Sequence, residues 1–262
     1  MPSRFAIAAS LAAAAFAGVT GHAEAESITF DDLVHGEIVH TQYQASHGLT
    51  IAAENYWKSF DLAVAFDTNR SQTRDPDLEN PWDRGNLPAD ADLGHALIIQ
   101  ENNNGIGDGV ANKPDDEGRR PAGYFTFDFD RQLSSFGFSL IDVEGVDEYN
   151  GGYFLSIFDG QQQVAQIDFA DLVTRHGADP VRQAVYDMYD GSNRPEFGNN
   201  SANQVLPLTS GMLGGTFDRV VIGLGGSGAI GDINFTAVPS PSAVGIGLVL
   251  LTAAGLRRRV TA

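Results

Sequence analysis

Carboxylates are the chemistry this sequence offers most plainly. Asp31 and Asp32 follow the first extended segment. Asp67, Asp75 and Asp77 punctuate a long polar stretch, and Asp232 lies in the last apolar run. Hard cations take several oxygen ligands from loop carboxylates and carbonyls, so these aspartates are the expected calcium ligands and calcium the expected cofactor; the plainer alternative is solvated loop carboxylates. A second chemistry is stacking. Trp57, Trp82 and Tyr149 sit beside polar loop residues. Their rings suit a sugar face while Asp and Asn hold hydroxyls; the plainer alternative is that they cap the edge of a core.

Catalytic patterns are missing. The sequence has no His-Glu-x-x-His and no Gly-x-Ser-x-Gly, the spacings that build a zinc site or a nucleophile elbow. His35, His40, His47, His95 and His176 form no His-x-His pair. A glycosidase needs two facing carboxylates, and the acidic residues are too many for any pair to stand out. Gly223-Leu-Gly-Gly-Ser-Gly228 matches a dinucleotide fingerprint, but a strand follows it where a helix N-terminus is required; it reads as a glycine-rich connection. Asn102–Gly109 has the look of a calcium turn with a single carboxylate, Asp108, and reads as an Asn/Gly turn.

The elements that must position these residues are short strands. Ser27–Asp31, Glu37–Tyr43 and Leu49–Ala53 alternate or run extended, and Leu62–Phe66 is a compact apolar run suited to a buried strand. Asp67–Gly94 is polar and without period, the length of loop that is usually functional or metal-ordered. His95–Ile99, Ala122–Phe129 and Leu133–Ile141 follow as strands. Gly152–Phe158 and Gln163–Phe169 flank Asp159-Gly160, a hairpin signal. Asp171–His176 and Val181–Met188 predict short helices. Val205–Leu208, Phe217–Ile222 and Ile230–Phe235 complete the set. Many short strands with little helix predict an all-β fold, an antiparallel β-sandwich of jelly-roll-like type. Its first and last strands are commonly neighbours, which would bring Asp31 or Asp32 to Asp232.

The chain of 262 residues contains no cysteine, so packing or metal must hold it without disulfides. Residues 1–25 read as a secretory signal peptide: Arg4, an apolar Phe5–Val19 and Ala23-Glu-Ala25. Residues 26–237 form the domain, and between those bounds 12 basic residues face 33 acidic ones, a balance of −21. Such a charge repels nucleic acid and an anionic membrane surface. The tail, residues 238–262, joins a stiff Pro-Ser-Pro element to the apolar run Ala243–Leu256 and Arg257-Arg258-Arg259. The run predicts a transmembrane helix of about 21 Å, short of the ~30 Å bilayer core, and the arginines predict a cytoplasmic C-terminus.

The tail resembles a PEP-CTERM sorting signal, found on exported proteins of Gram-negative bacteria. Val238-Pro239-Ser240-Pro241 stands where the family has Val-Pro-Glu-Pro, with Ser240 in place of Glu, and the apolar run and basic cluster follow in order. The domain is similar to a recurring β-sandwich of such proteins in Ile28–Leu33, Ala65–Thr68, Leu97–Asn102, Pro114–Glu117, Ser135–Glu144 and Ser227–Phe235. The resemblance implies export to the cell envelope or beyond it, a transient inner-membrane anchor and an exosortase-type processing enzyme as partner. It implies no general activity. The expected role is structural or interactive, near exopolysaccharide, with carbohydrate binding as the alternative and a polysaccharide hydrolase or lyase behind it.

Overall fold

Phe125, Phe127 and Phe129 alternate with Tyr124, Thr126 and Asp128, the two-residue period of a strand with one buried face. The computed structural model describes residues 23–146 and 152–239, and all three phenylalanines are buried there. The strands are β1 (Ala25–Ile28), β2 (Ile38–Val39), β3 (Leu49–Asn55), β4 (Ala63–Asp67), β5 (His95–Ile99), β6 (Gly123–Ile141), β7 (Phe154–Asp159), β8 (Gln162–Asp168), β9 (Ala202–Thr209), β10 (Phe217–Leu224) and β11 (Ala229–Ala237). Helix is confined to α1 (Gln44–His47), α2 (Pro180–Asp187), α3 (Ser210–Leu213) and a few 3₁₀ turns. Every pairing between these strands is antiparallel, so the all-β expectation holds.

The fold turns on β6, which the sequence pattern divides into two strands. Its first half pairs with β3 and β10. Its second half pairs with β9 and β11. Beyond β10 come β7 and β8; the edge of β11 away from β6 pairs with β5 at its start, followed by β4 and β2, and with β1 further along. Ring contacts join the two halves: Phe127 and Phe129 lie 5.9 and 6.2 Å from Phe136, and Phe129 lies 4.9 Å from Phe235. One continuous apolar core fills the space between them.

Two ends of the domain follow from the register. Leu224 pairs with Gly123 and Ala229 with Ile141, and only the four residues Gly225–Gly228 separate β10 from β11. Both ends of β6 therefore meet at one end, the loop end. At the other, Ala25 pairs with Thr236 and the Val238 N–H donates to the Gln132 carbonyl. There the chain enters and leaves. The Glu26 carboxylate also accepts from Arg131, 2.8 Å away, which ties β1 to the bend of β6. The seven residues of β3 connect the ends, about 20 Å at strand rise.

β4 and β5 bury both faces. Ala63, Ala65, Leu97 and Ile99 face the main core. Val64, Phe66, Ala96 and Ile98 face a second cluster with Leu78 and Trp82. The polar loop after β4 thus folds back as a cover over the outer face of the sheet, which explains why β4 is a continuous apolar run.

Two expected elements differ. Of Glu37–Tyr43 only Ile38–Val39 pairs as strand, because Gln42 turns its amide back to the Ile38 carbonyl, 2.8 Å away, and α1 follows. In place of a helix at Asp171–His176 there is a 3₁₀ turn at Phe169–Leu172, closed by reciprocal capping between Asp168 and Asp171; α2 begins at Pro180, where Asp179 caps it. The signal segment through residue 22, Tyr149, Ser240, Pro241, the apolar run and the three tail arginines lie outside the described residues. Among the described residues no helix is long and apolar enough to cross a membrane.

Candidate functional site

Three loops converge at the loop end and bring carboxylates together. Asp75 comes from the cover loop, Asp116 from the segment after β5, and Asp142 from the residue after β6. Asp75, Asp116 and Asp142 are 8, 7 and 1 % exposed. Ser227, in the connection between β10 and β11, stands between two of them: its Oγ is 2.8 Å from Asp116 Oδ2 and 2.7 Å from Asp142 Oδ2. The Gly228 N–H also donates to Asp116 Oδ2. Gly228 sits at φ +146, where a Cβ would come 3.1 Å from the Ile141 carbonyl oxygen, so glycine lets the backbone approach. Asn200, at φ 51, donates its N–H to Asp142 Oδ1 at 2.6 Å and its side-chain amide to the carbonyls of Asp77 and Glu79.

Proton counting gives this cluster its character. A hydroxyl has one proton to donate, so Ser227 donates to one carboxylate and the other contact needs a proton on the acid. Asp75 and Asp116 lie close enough for each to act on the other's carboxyl, an arrangement that a shared proton would relieve. Asp75 Oδ2 is buried with no hydrogen-bond partner. Burial is the main force on all of these acids. It raises Asp75 and Asp116, and the charge of Asp75 raises Asp116 further. Burial, with the charges of Asp75 and Asp77, pushes Asp142 up to about 7. Burial, with Glu101 and Asp75, pushes Asp115 up to about 6. Lys58 stands 3.5 Å from both Glu101 and Glu117, so it answers other carboxylates. The donor set is all oxygen and short of positive charge, and it suits either protons or a hard cation. Among the described residues no group of three or more acidic or histidine side chains has the spacing of a formed metal centre.

Of the six aspartates expected as ligands, the structure brings Asp75 and Asp77 to this cluster and disperses the others. β1 and β11 do pair, but Phe30, at φ 62, turns the chain away from β11. Asp31 then accepts the His95 N–H at 3.0 Å, and Asp32 accepts the Tyr43 hydroxyl. Burial, then Asp32, raises that tyrosine's pKa. Asp67 accepts the Asn69 N–H at 3.0 Å. Asp232 accepts the Ser139 hydroxyl. Asp116, Asp142 and Ser227 were not among the expected ligands. Their signals were Asp115-Asp116 after Pro114 and a serine inside a glycine-rich connection, and neither reveals which distant residue it meets.

The aromatic candidates separate too. Trp82 is 3 % exposed. Its indole N–H donates to the Ala91 carbonyl at 2.9 Å, and its ring belongs to the second core. One edge borders a polar cavity of about 410 Å³, lined by Asp83, Arg84 and Glu196 among others. Trp82 is therefore a core residue rather than an open stacking platform. We expect Trp82→Ala to destabilise the domain by roughly 3–5 kcal/mol, read as a lower denaturant midpoint; a midpoint within error of the parent would show that the cover loop does not depend on it. Trp57 and Tyr56 are each 47 % exposed. The Trp57 indole N–H donates to the Pro121 carbonyl at 2.7 Å, and Arg119 stacks over its ring.

No family model, curated protein or solved structure matches the chain.

Proposed function

We propose that this chain is an exported, non-catalytic β-sandwich of jelly-roll-like type, with a structural or interaction role in the cell envelope and a calcium ion stabilising its loop end. Asp75, Asp116 and Asp142 would hold the cation, joined by nearby carbonyls. The observation that carries this reading is the buried Asp75–Asp116 pair, with an unpartnered Asp75 oxygen beside it. A calcium ion would relieve the mutual repulsion of these acids and satisfy that oxygen. The acids are almost fully buried, which favours a structural ion over substrate chemistry. The tail, from Val238 through Arg259, would act as a removable address read by an exosortase-type enzyme, and would hold the chain in the inner membrane only until processing.

Calorimetric titration of calcium into the chelator-stripped full-length chain tests the metal. Binding heat and a melting midpoint raised by about 5–10 °C at saturating calcium are expected, and both should be lost in Asp116→Asn. No heat and no shift in the parent would sink the calcium reading.

A second reading, carbohydrate binding, is favoured by the two exposed rings of Tyr56 and Trp57, since exposed aromatic faces stack on sugars.

A further inference from the structure

The ring of Tyr56 belongs to a small acidic cage. It meets Tyr124 edge to face, with centroids 5.9 Å apart. Glu54 and Tyr124 are directly paired across β3 and β6, and the Tyr124 hydroxyl donates to the Glu54 carboxylate. Asp61 Oδ1 accepts the Asn55 N–H at 3.0 Å, beside the same rings. Among the described residues neither Glu54 nor Asp61 has a cationic partner. Burial and Glu54 raise the Tyr56 pKa, while the bond to Glu54, burial and the charges of Glu54 and Asp61 push Tyr124 up to about 12. Trp57 continues the surface with nearly half its area open, Arg119 lying over its ring.

Two electron-rich rings and two carboxylates without a cationic partner are the parts from which proteins build ammonium sites. The domain's balance of −21 adds an attractive long-range field for a cation. The position also suits a ligand. The Tyr56 N–H bonds the Ala122 carbonyl at the loop end, whereas the chain enters and leaves at the opposite end.

Resting on the carbohydrate reading above, we infer that the Tyr56–Trp57 face binds a saccharide bearing protonated amines, a polymer of amino sugars with free amino groups. Sugar rings stack on Trp57 and Tyr56, and one ammonium sits between Tyr56, Tyr124, Glu54 and Asp61. Neutral and uronate-bearing polymers lack the charge this site answers.

The test uses the full-length chain, glucosamine oligomers, N-acetylglucosamine oligomers of equal length, and oligolysine, with affinity read by calorimetry at low and moderate salt. The free-amine oligomer should bind at least about ten-fold more tightly than the acetylated one, and the difference should shrink with salt. Glu54→Gln together with Asp61→Asn should erase the preference and leave the melting midpoint unchanged, since both side chains are exposed. Trp57→Ala should weaken both sugars. Equal affinity for the two sugars would overturn the amine inference and leave the carbohydrate reading standing. Oligolysine binding as tightly as the amino sugar, and unaffected by Trp57→Ala, would overturn both in favour of a basic peptide. Absence of binding to every probe would also overturn both.

Discussion

Stripped of metal, the domain should lose stability as pH rises from about 5 to about 8, the reverse of what ordinary surface carboxylates give. The sign follows from the direction of the shifts. A carboxyl whose pKa is higher in the folded chain than in the unfolded one binds its proton more tightly when folded. Its stabilising contribution is complete below the unfolded value and is lost as pH passes the folded value. Asp75, Asp115, Asp116 and Asp142 all shift upward. For Asp142, moving from 3.8 to about 7 corresponds to a loss on the order of 4 kcal/mol across that range. The groups facing Asp142 are Asp75, Asp77, Ser227 and Asn200, and none carries positive charge. Glu26 and Asp92 are lowered and act only in more acid solution. His35, lowered by burial and by Arg70, works in the opposite direction near its own range. One histidine does not offset four acids.

Asp142→Asn makes the test specific. The amide oxygen still accepts from Asn200, and the amide nitrogen donates to Ser227, whose proton is then free for Asp116. In chelator at about pH 8 the variant should therefore melt at or above the parent, with a flatter pH dependence. With calcium the order should reverse, because the variant lacks a charged ligand. Thermal melts in chelator across the pH range decide the matter. A parent midpoint that is flat or rises between about pH 5 and 8 would remove the basis for placing protons or a cation in this cluster.

Local patterns in the sequence give most of the strands, because their information is local. Phe125, Phe127 and Phe129 announce a half-buried strand, and Asp159-Gly160 announces the hairpin of β7 and β8. The union of two strands into β6 is hidden. Asp130-Arg131-Gln132 looks like a turn, and only its partners show that the backbone stays extended while it passes from one set of strands to the other. Trp82 misleads for a related reason. A tryptophan among Asn, Pro and Asp looks exposed, but that loop covers the outer face of β4 and β5, and this burial depends on a tertiary contact. The carboxylate cluster is harder still. Asp116 and Ser227 are 111 positions apart and Asp142 and Ser227 are 85 apart. With 33 acidic residues in the domain, no spacing rule picks out the three that register brings together. Trp57 stands out in the sequence as an aromatic beside polar residues, and it is exposed. The acidic cage does not stand out, because it needs the pairing of Glu54 with Tyr124 across two strands.

Phe136→Ala should be among the most destabilising single changes in this chain. Phe136 is fully buried in the second half of β6, between Leu208 of β9 and Phe235 of β11. Its ring contacts Phe127 and Phe129 from the first half of the same strand, and Phe138 at 5.8 Å. Removing it opens a cavity where rings from the two halves of β6 meet. The neighbours that would have to close the cavity are held by ladders on both sides, so collapse is limited and the cost should lie near the upper part of the usual range, roughly 3–5 kcal/mol. For a domain of this size that is a fall in melting midpoint of about 10 °C. Phe136→Leu retains much of the volume and should lose about half as much. Val34→Ala, at a site 57 % exposed, should move stability by no more than about 0.5 kcal/mol. Urea unfolding measures all three, and an unchanged slope would show that the denatured state is not the source of the effect. A loss in Phe136→Ala no larger than that of Val34→Ala would mean that the aromatic contacts across the bend of β6 do not hold the two sets of strands together.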